Sequence, residues 1–184
     1  MRAVVAAVAT GAATLVTAVP APAPSTADAA PTITRSAHVA FDNCNAQHIV
    51  LSVTVAGRAF TPAEPVTYTV RLRNTGAATC GAPLAQHVPQ ARRSLTVGPC
   101  GVLSLIVSDA LGVNVYPGPV AYSCPDEVGL RLGPHSTATT TGSWNQSETI
   151  GSGEAPATVH HAPPGEYRLA VDQAVSVPVT LAPG

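Results

Sequence analysis

The chain has 184 residues, a formal net charge of −1 and only 10% charged side chains. A nucleic-acid or anionic-membrane binder needs a basic face, so this balance excludes either as the default partner. Aromatic residues make up 4% of the chain, too few to supply a sugar-stacking platform.

Met1-Arg2 is a minimal positive start, Ala3 to Val19 carry no charge, and Ala27-Asp28-Ala29 offers a small-x-small cleavage site. Residues 1–29 therefore read as a signal peptide, and their apolar run is too short and proline-broken to span a bilayer. Their removal takes one charge of each sign, Arg2 and Asp28, and leaves the net charge at −1. The remaining residues, about 155, suffice for one domain. An exported protein, secreted or held at the cell envelope, is expected, with no later membrane span.

Valine (24) and threonine (20) suit half-buried pleated surfaces, while 18 prolines and 15 glycines leave little room for long helices. Residues 30–47 read as a flexible lead-in, and the domain proper as 48–184. Ile49, Leu51, Val53 and Val55 alternate with Val50, Ser52 and Thr54, a period-two strand. After the turn at Phe60–Pro65, Val66, Tyr68, Val70 and Leu72 face inward with Thr67, Thr69, Arg71 and Arg73 outward. Asn74-Thr75-Gly76 ends that strand.

Residues 77–92 read as a loop and Ser94–Val97 as a short strand. Leu103, Leu105 and Val107 alternate again, and Val113–Tyr116 returns, broken by Pro117-Gly118-Pro119 and continuing over Val120–Ser123. Val128, Leu130 and Leu132 precede the threonine-rich strand Ser136–Thr141 and then Trp144. Residues 145–162 read as a flexible loop, long enough to be an insertion or a functional feature. Tyr167, Leu169 and Val171 pair by pattern with Val175, Val177, Val179 and Leu181, and Pro178 marks that last strand as an edge. Seven to nine short strands with turns every 8–12 residues indicate an all-β antiparallel sandwich.

Cys44, Cys80, Cys100 and Cys124 are an even set in an exported chain without C-x-x-C spacing, hence two disulfides rather than a metal site. Strand geometry leaves all three pairings open.

Three stretches together resemble a known family. Val66–Thr75 (VTYTVRLRNT), Leu132-Gly133-Pro134-His135 with Gly142-Ser143-Trp144, and Ala162–Leu169 (APPGEYRL) are similar to secreted immunoglobulin-like domains of actinobacteria. Those domains are themselves distantly similar to the BsuPI proteinase-inhibitor domain. The resemblance covers roughly residues 48–181. It implies an immunoglobulin-like sandwich and pairs Cys80 with Cys124, leaving Cys44 with Cys100. The insertion after Trp144, and His135 where glycine is usual, depart from the pattern.

Catalytic chemistry finds little support. No G-x-S-x-G elbow is present, and His135 and Ser136, adjacent on a strand, point to opposite faces. His160-His161 lacks a third ligand, and Asp126-Glu127 and Arg92-Arg93 read as solvated pairs. No catalytic residue, cofactor or metal is therefore assigned. The expected function is a non-enzymatic binding module with a protein partner, contacting it through the edge at Val175–Leu181 or the loop at 145–162. The alternative is a BsuPI-like proteinase inhibitor acting on a protease through Gly112–Ser123, where Tyr116, Pro117 and Pro119 would form a stiffened contact. The resemblance places Trp144 on a strand entering the domain and so implies a core residue; exposed, it would be a binding anchor.

Overall fold

The computed structural model describes residues 31–41, 44–81, 94–118, 129–150 and 158–184. Within them the protein is almost entirely β, and the alternating stretches at 49–55, 66–72, 167–171 and 175–181 form strands where their period predicts; of the stretch at 103–107 only the part from Leu105 is strand, and of 128–132 only Arg131–Leu132, with Val128 outside the described residues. Seven strands have five or more residues: β1 (Thr32–His38), β2 (Ile49–Ala56), β4 (Val66–Asn74), β6 (Leu105–Asp109), β9 (Thr137–Trp144), β12 (Gly165–Val171) and β13 (Val175–Leu181). Shorter ones lie between them: β3 (Ala59–Phe60), β5 (Cys80–Gly81), β7 (Asn114–Tyr116), β8 (Arg131–Leu132), β10 (Ser147–Ile150) and β11 (Thr158–His161).

One sheet has the order β1-β2-β4-β9 and the other β3-β13-β12-β6-β7. Period-two alternation puts one face of each against the other. From the first sheet come Ile49, Leu51, Val53 and Val55 on β2 and Val66, Val70 and Leu72 on β4, all fully buried. The second contributes Val107, Leu169, Val171, Val177 and Val179. Each such burial stabilises by on the order of 1.5–3 kcal/mol before chain entropy is set against it. Apart from the two-residue β3, which joins the second sheet between β2 and β4, the chain crosses between sheets after β4, returns for β9 and crosses again for β12. Thus β4 neighbours β9 in one sheet while β6, β12 and β13 are neighbours in the other, the immunoglobulin-like order. A corner typical of that order closes the start of β12, where the Tyr167 hydroxyl donates to the Pro163 carbonyl at 2.7 Å.

Several expectations are corrected. The lead-in is structured, because Thr32–His38 pairs with β2 over all seven residues and so forms the edge of the first sheet. Ser94–Val97 forms no strand, and only an isolated bridge joins Val97 to Leu103. Residues 145–162 are not a plain loop: β10 and β11 make an antiparallel hairpin from Ser147↔His161 to Ile150↔Thr158. The hairpin between β12 and β13 has the register expected, with Val171 opposite Val175. Beyond β13 the sheet continues only as β3, which pairs at Thr180 and Leu181. Over Val175–Val179, the stretch containing Pro178, no described strand pairs on that side.

The disulfide is Cys44–Cys80, with Cα atoms 5.4 Å apart, and not the Cys80–Cys124 and Cys44–Cys100 set that the resemblance implies. Cys44 precedes β2 and Cys80 follows β4; these strands are antiparallel neighbours, so both cysteines reach the same end of the sheet. Cys100 is also disulfide-bonded, while Cys124 lies outside the described residues.

Candidate functional site

Two ends of the sandwich differ in character. One holds the disulfide and the buried Asn74, whose amide donates to the carbonyls of Ala78 (2.7 Å) and Gly133 (2.9 Å). That end is knitted by backbone and covalent bonds. The other end gathers the β6–β7 turn, the approach to β12 and the β10–β11 hairpin, and it presents apolar side chains to solvent.

The β6–β7 turn is braced from within. Asp109 closes β6, and its carboxylate accepts from the backbone N–H of Leu111 (3.0 Å) and of Val113 (2.8 Å). Gly112, at φ +83°, supplies the left-handed residue that the turn requires. Leu111 is thereby held outward at 88% exposure and Val113 at 58%. Beside them lies a cavity of about 220 Å³ whose walls include Leu111, Val115, Pro163 and Tyr167. Three carboxylates, Asp109, Glu148 and Glu166, lie around it, and no basic residue lines it.

Those carboxylates act on the tyrosine beneath. Burial, and then the charges of Glu148 and Asp109, push the Tyr167 hydroxyl above its ordinary pKa. It therefore stays protonated and keeps its bond to Pro163. Glu166 is tied back by the Thr180 hydroxyl at 2.8 Å. Among the described residues no group of three His, Cys, Asp or Glu side chains could hold a metal ion. This end offers an apolar ledge with acidic surroundings.

The residues singled out in the sequence distribute unevenly around this end. Trp144 is buried at 1% exposure, its ring 5.4 Å from that of Tyr167 and its Nε1 donating to the Ser147 carbonyl at 2.9 Å. It is a core residue and cannot serve as a surface anchor. Tyr116 is half-buried on β7, opposite Val107 and packed on the core. The Tyr116–Pro117 peptide is cis, and Gly118 lies so close to Thr149 of β10 that a side chain there would collide with it. The described part of Gly112–Ser123 is thus strand and packed connection beyond Val113. Pro119 and the rest of that segment lie outside the described residues, as do Asp126-Glu127 and Arg92-Arg93.

His160 stands opposite Glu148 on the hairpin, with Nε2 3.1 Å from the Thr158 hydroxyl. The Ser136 hydroxyl donates to the Gly133 carbonyl at 2.7 Å and is committed to that turn. Sequence reasoning missed Leu111, because one exposed leucine in a turn has no periodic signature. It also missed Gln146, fully buried at φ +58°, whose amide donates to the Thr61 and Glu64 carbonyls at 2.8 and 2.5 Å and fixes the root of the hairpin.

No protein-family model matches the chain, and no curated protein matches it either.

Proposed function

We propose that the protein is an exported, non-enzymatic binding domain that docks a protein partner through the end formed by the β6–β7 turn and the approach to β12. The observation that carries this reading is Leu111, 88% exposed on a turn held by two hydrogen bonds to Asp109. A braced turn loses little conformational freedom on association, so its apolar side chain adds contact area at low entropic cost. Loops at one end of a sandwich, positioned by rigid sheets, are a common place for recognition. The signal-like residues 1–29 and the disulfide favour an extracellular or envelope setting. No helix among the described residues is long and apolar enough to cross a membrane.

The test uses the oxidised protein as bait on envelope and culture supernatant, beside a Leu111→Asp, Val113→Asp variant of unchanged thermal midpoint. A partner captured by the parent and lost by the variant is the expected result. Equal capture by both moves the contact away from this end. If the captured protein is a protease whose activity falls on binding, the inhibitor reading takes its place. The edge at Val175–Val179, where no described strand pairs, is then the next surface to vary.

A further inference from the structure

We infer that the outer face of the β1-β2-β4-β9 sheet is a binding site for a neutral polysaccharide. The register lines up Thr34, Thr54, Thr69 and Thr141 as successive cross-strand partners on four strands, and Thr67 stands opposite Ser143 beside them. Strands lie about 4.8 Å apart and alternate residues about 6.7 Å apart along each strand, so the face is a grid of hydroxyl and methyl groups. A trough with a cavity volume of about 630 Å³ lies over this grid. Its walls include Thr54, Thr67, Thr69, Thr141 and Ser143. Ligand sites occupy roughly 300–1,000 Å³.

The chemistry of the trough selects its occupant. None of its lining residues is charged. The arginines of this face, Arg71 and Arg73, stand farther along β4, opposite Thr139 and Thr137. A polyanion would gather there rather than in the trough. A peptide laid across a sheet face, instead of along its edge, meets no backbone ladder to pair with. A neutral glycan fits both features. Its hydroxyls donate and accept as threonine hydroxyls do, and its C–H faces rest on the threonine methyls. Within the described structure, the side chains of Thr67, Thr69, Thr141 and Ser143 have no hydrogen-bond partner and are available to such a ligand. With hydroxyls in place of aromatic stacking, single contacts are weak, and retention comes from repeated engagement along the polymer. This inference does not rest on the docking end proposed above.

Affinity electrophoresis of the oxidised protein through gels containing hydroxyethylcellulose, laminarin or, as the charged control, polygalacturonate tests it. Retardation in at least one neutral gel is expected. The Thr69→Val, Thr141→Val double variant, which keeps volume and methyl groups, should weaken that retardation about tenfold through its lost hydrogen bonds. Thermal unfolding checks that this variant folds, and Thr67→Val alone replaces it if it does not. No retardation in either neutral gel, retardation in polygalacturonate alone, or equal retardation of a folded variant and the parent each overturns the proposal.

Discussion

Two buried tyrosines show how single side chains serve both packing and geometry. Tyr68 faces Gly142 across the first sheet, and a side chain at Gly142 would collide with its ring, so glycine is required at that strand position. Burial, and then Tyr116, raise the Tyr68 pKa, while Tyr167 is raised by burial and by Glu148 and Asp109. Both are therefore favoured neutral in the fold. The stability they contribute is fully present below pH 10, the ordinary tyrosine value, and is lost as pH rises through the higher folded values. Tyr167→Phe removes the bond to Pro163 and should cost about 1 kcal/mol at neutral pH. It should also flatten the alkaline fall in the urea midpoint, measured from neutral to strongly alkaline pH. An equally steep fall in the variant would show that Tyr167 does not drive it.

At the scale of elements, the hairpin between β9 and β12 depends on its root. Gln146 anchors that root to the Thr61–Glu64 turn, and the Ala162 N–H closes it by donating to the Gln146 carbonyl at 2.6 Å. Gln146→Ala takes the amide donor from the Glu64 carbonyl, leaves the Thr61 carbonyl only the Glu64 N–H, and places alanine at positive φ. A loss of about 1–3 kcal/mol is expected. Amide exchange in β10 and β11 should rise far more than in β2 and β4, as hydrogen exchange would show; uniform acceleration would mean that the hairpin and sandwich open together. Thr32–His38 is mostly exposed, so no alternation marks it, and only its pairing with β2 defines it as a strand.

For the whole molecule, covalent closure joins the N-terminal approach to the far side of β4. Cys44–Cys80 encloses a separation of 36 residues, and replacing both cysteines by alanine should cost about 2–5 kcal/mol. Peptide mapping of the oxidised protein should return Cys44–Cys80 and Cys100–Cys124. A Cys80–Cys124 peptide would restore the pairing implied by the resemblance and contradict the Cys44–Cys80 closure at the end of β2 and β4.

The alternation in Ile49–Val55, Val66–Leu72 and Tyr167–Leu181 determined the strands, their inward faces and the all-β class. These follow from local chemistry, since a period of two assigns each side chain to a face whatever lies opposite. The burial of Trp144 was expected on another ground, the resemblance, which places it on a strand entering the domain. Tertiary structure alone decided what depends on distant partners: the strandedness of β1, the hairpin at 147–161 and the choice of Cys80 for Cys44. It also decided that Leu111 stands outward beside an acidic cavity and that threonines from four strands share one row. Register and crossover bring together residues that are far apart in the chain, and no local pattern records which of them will meet.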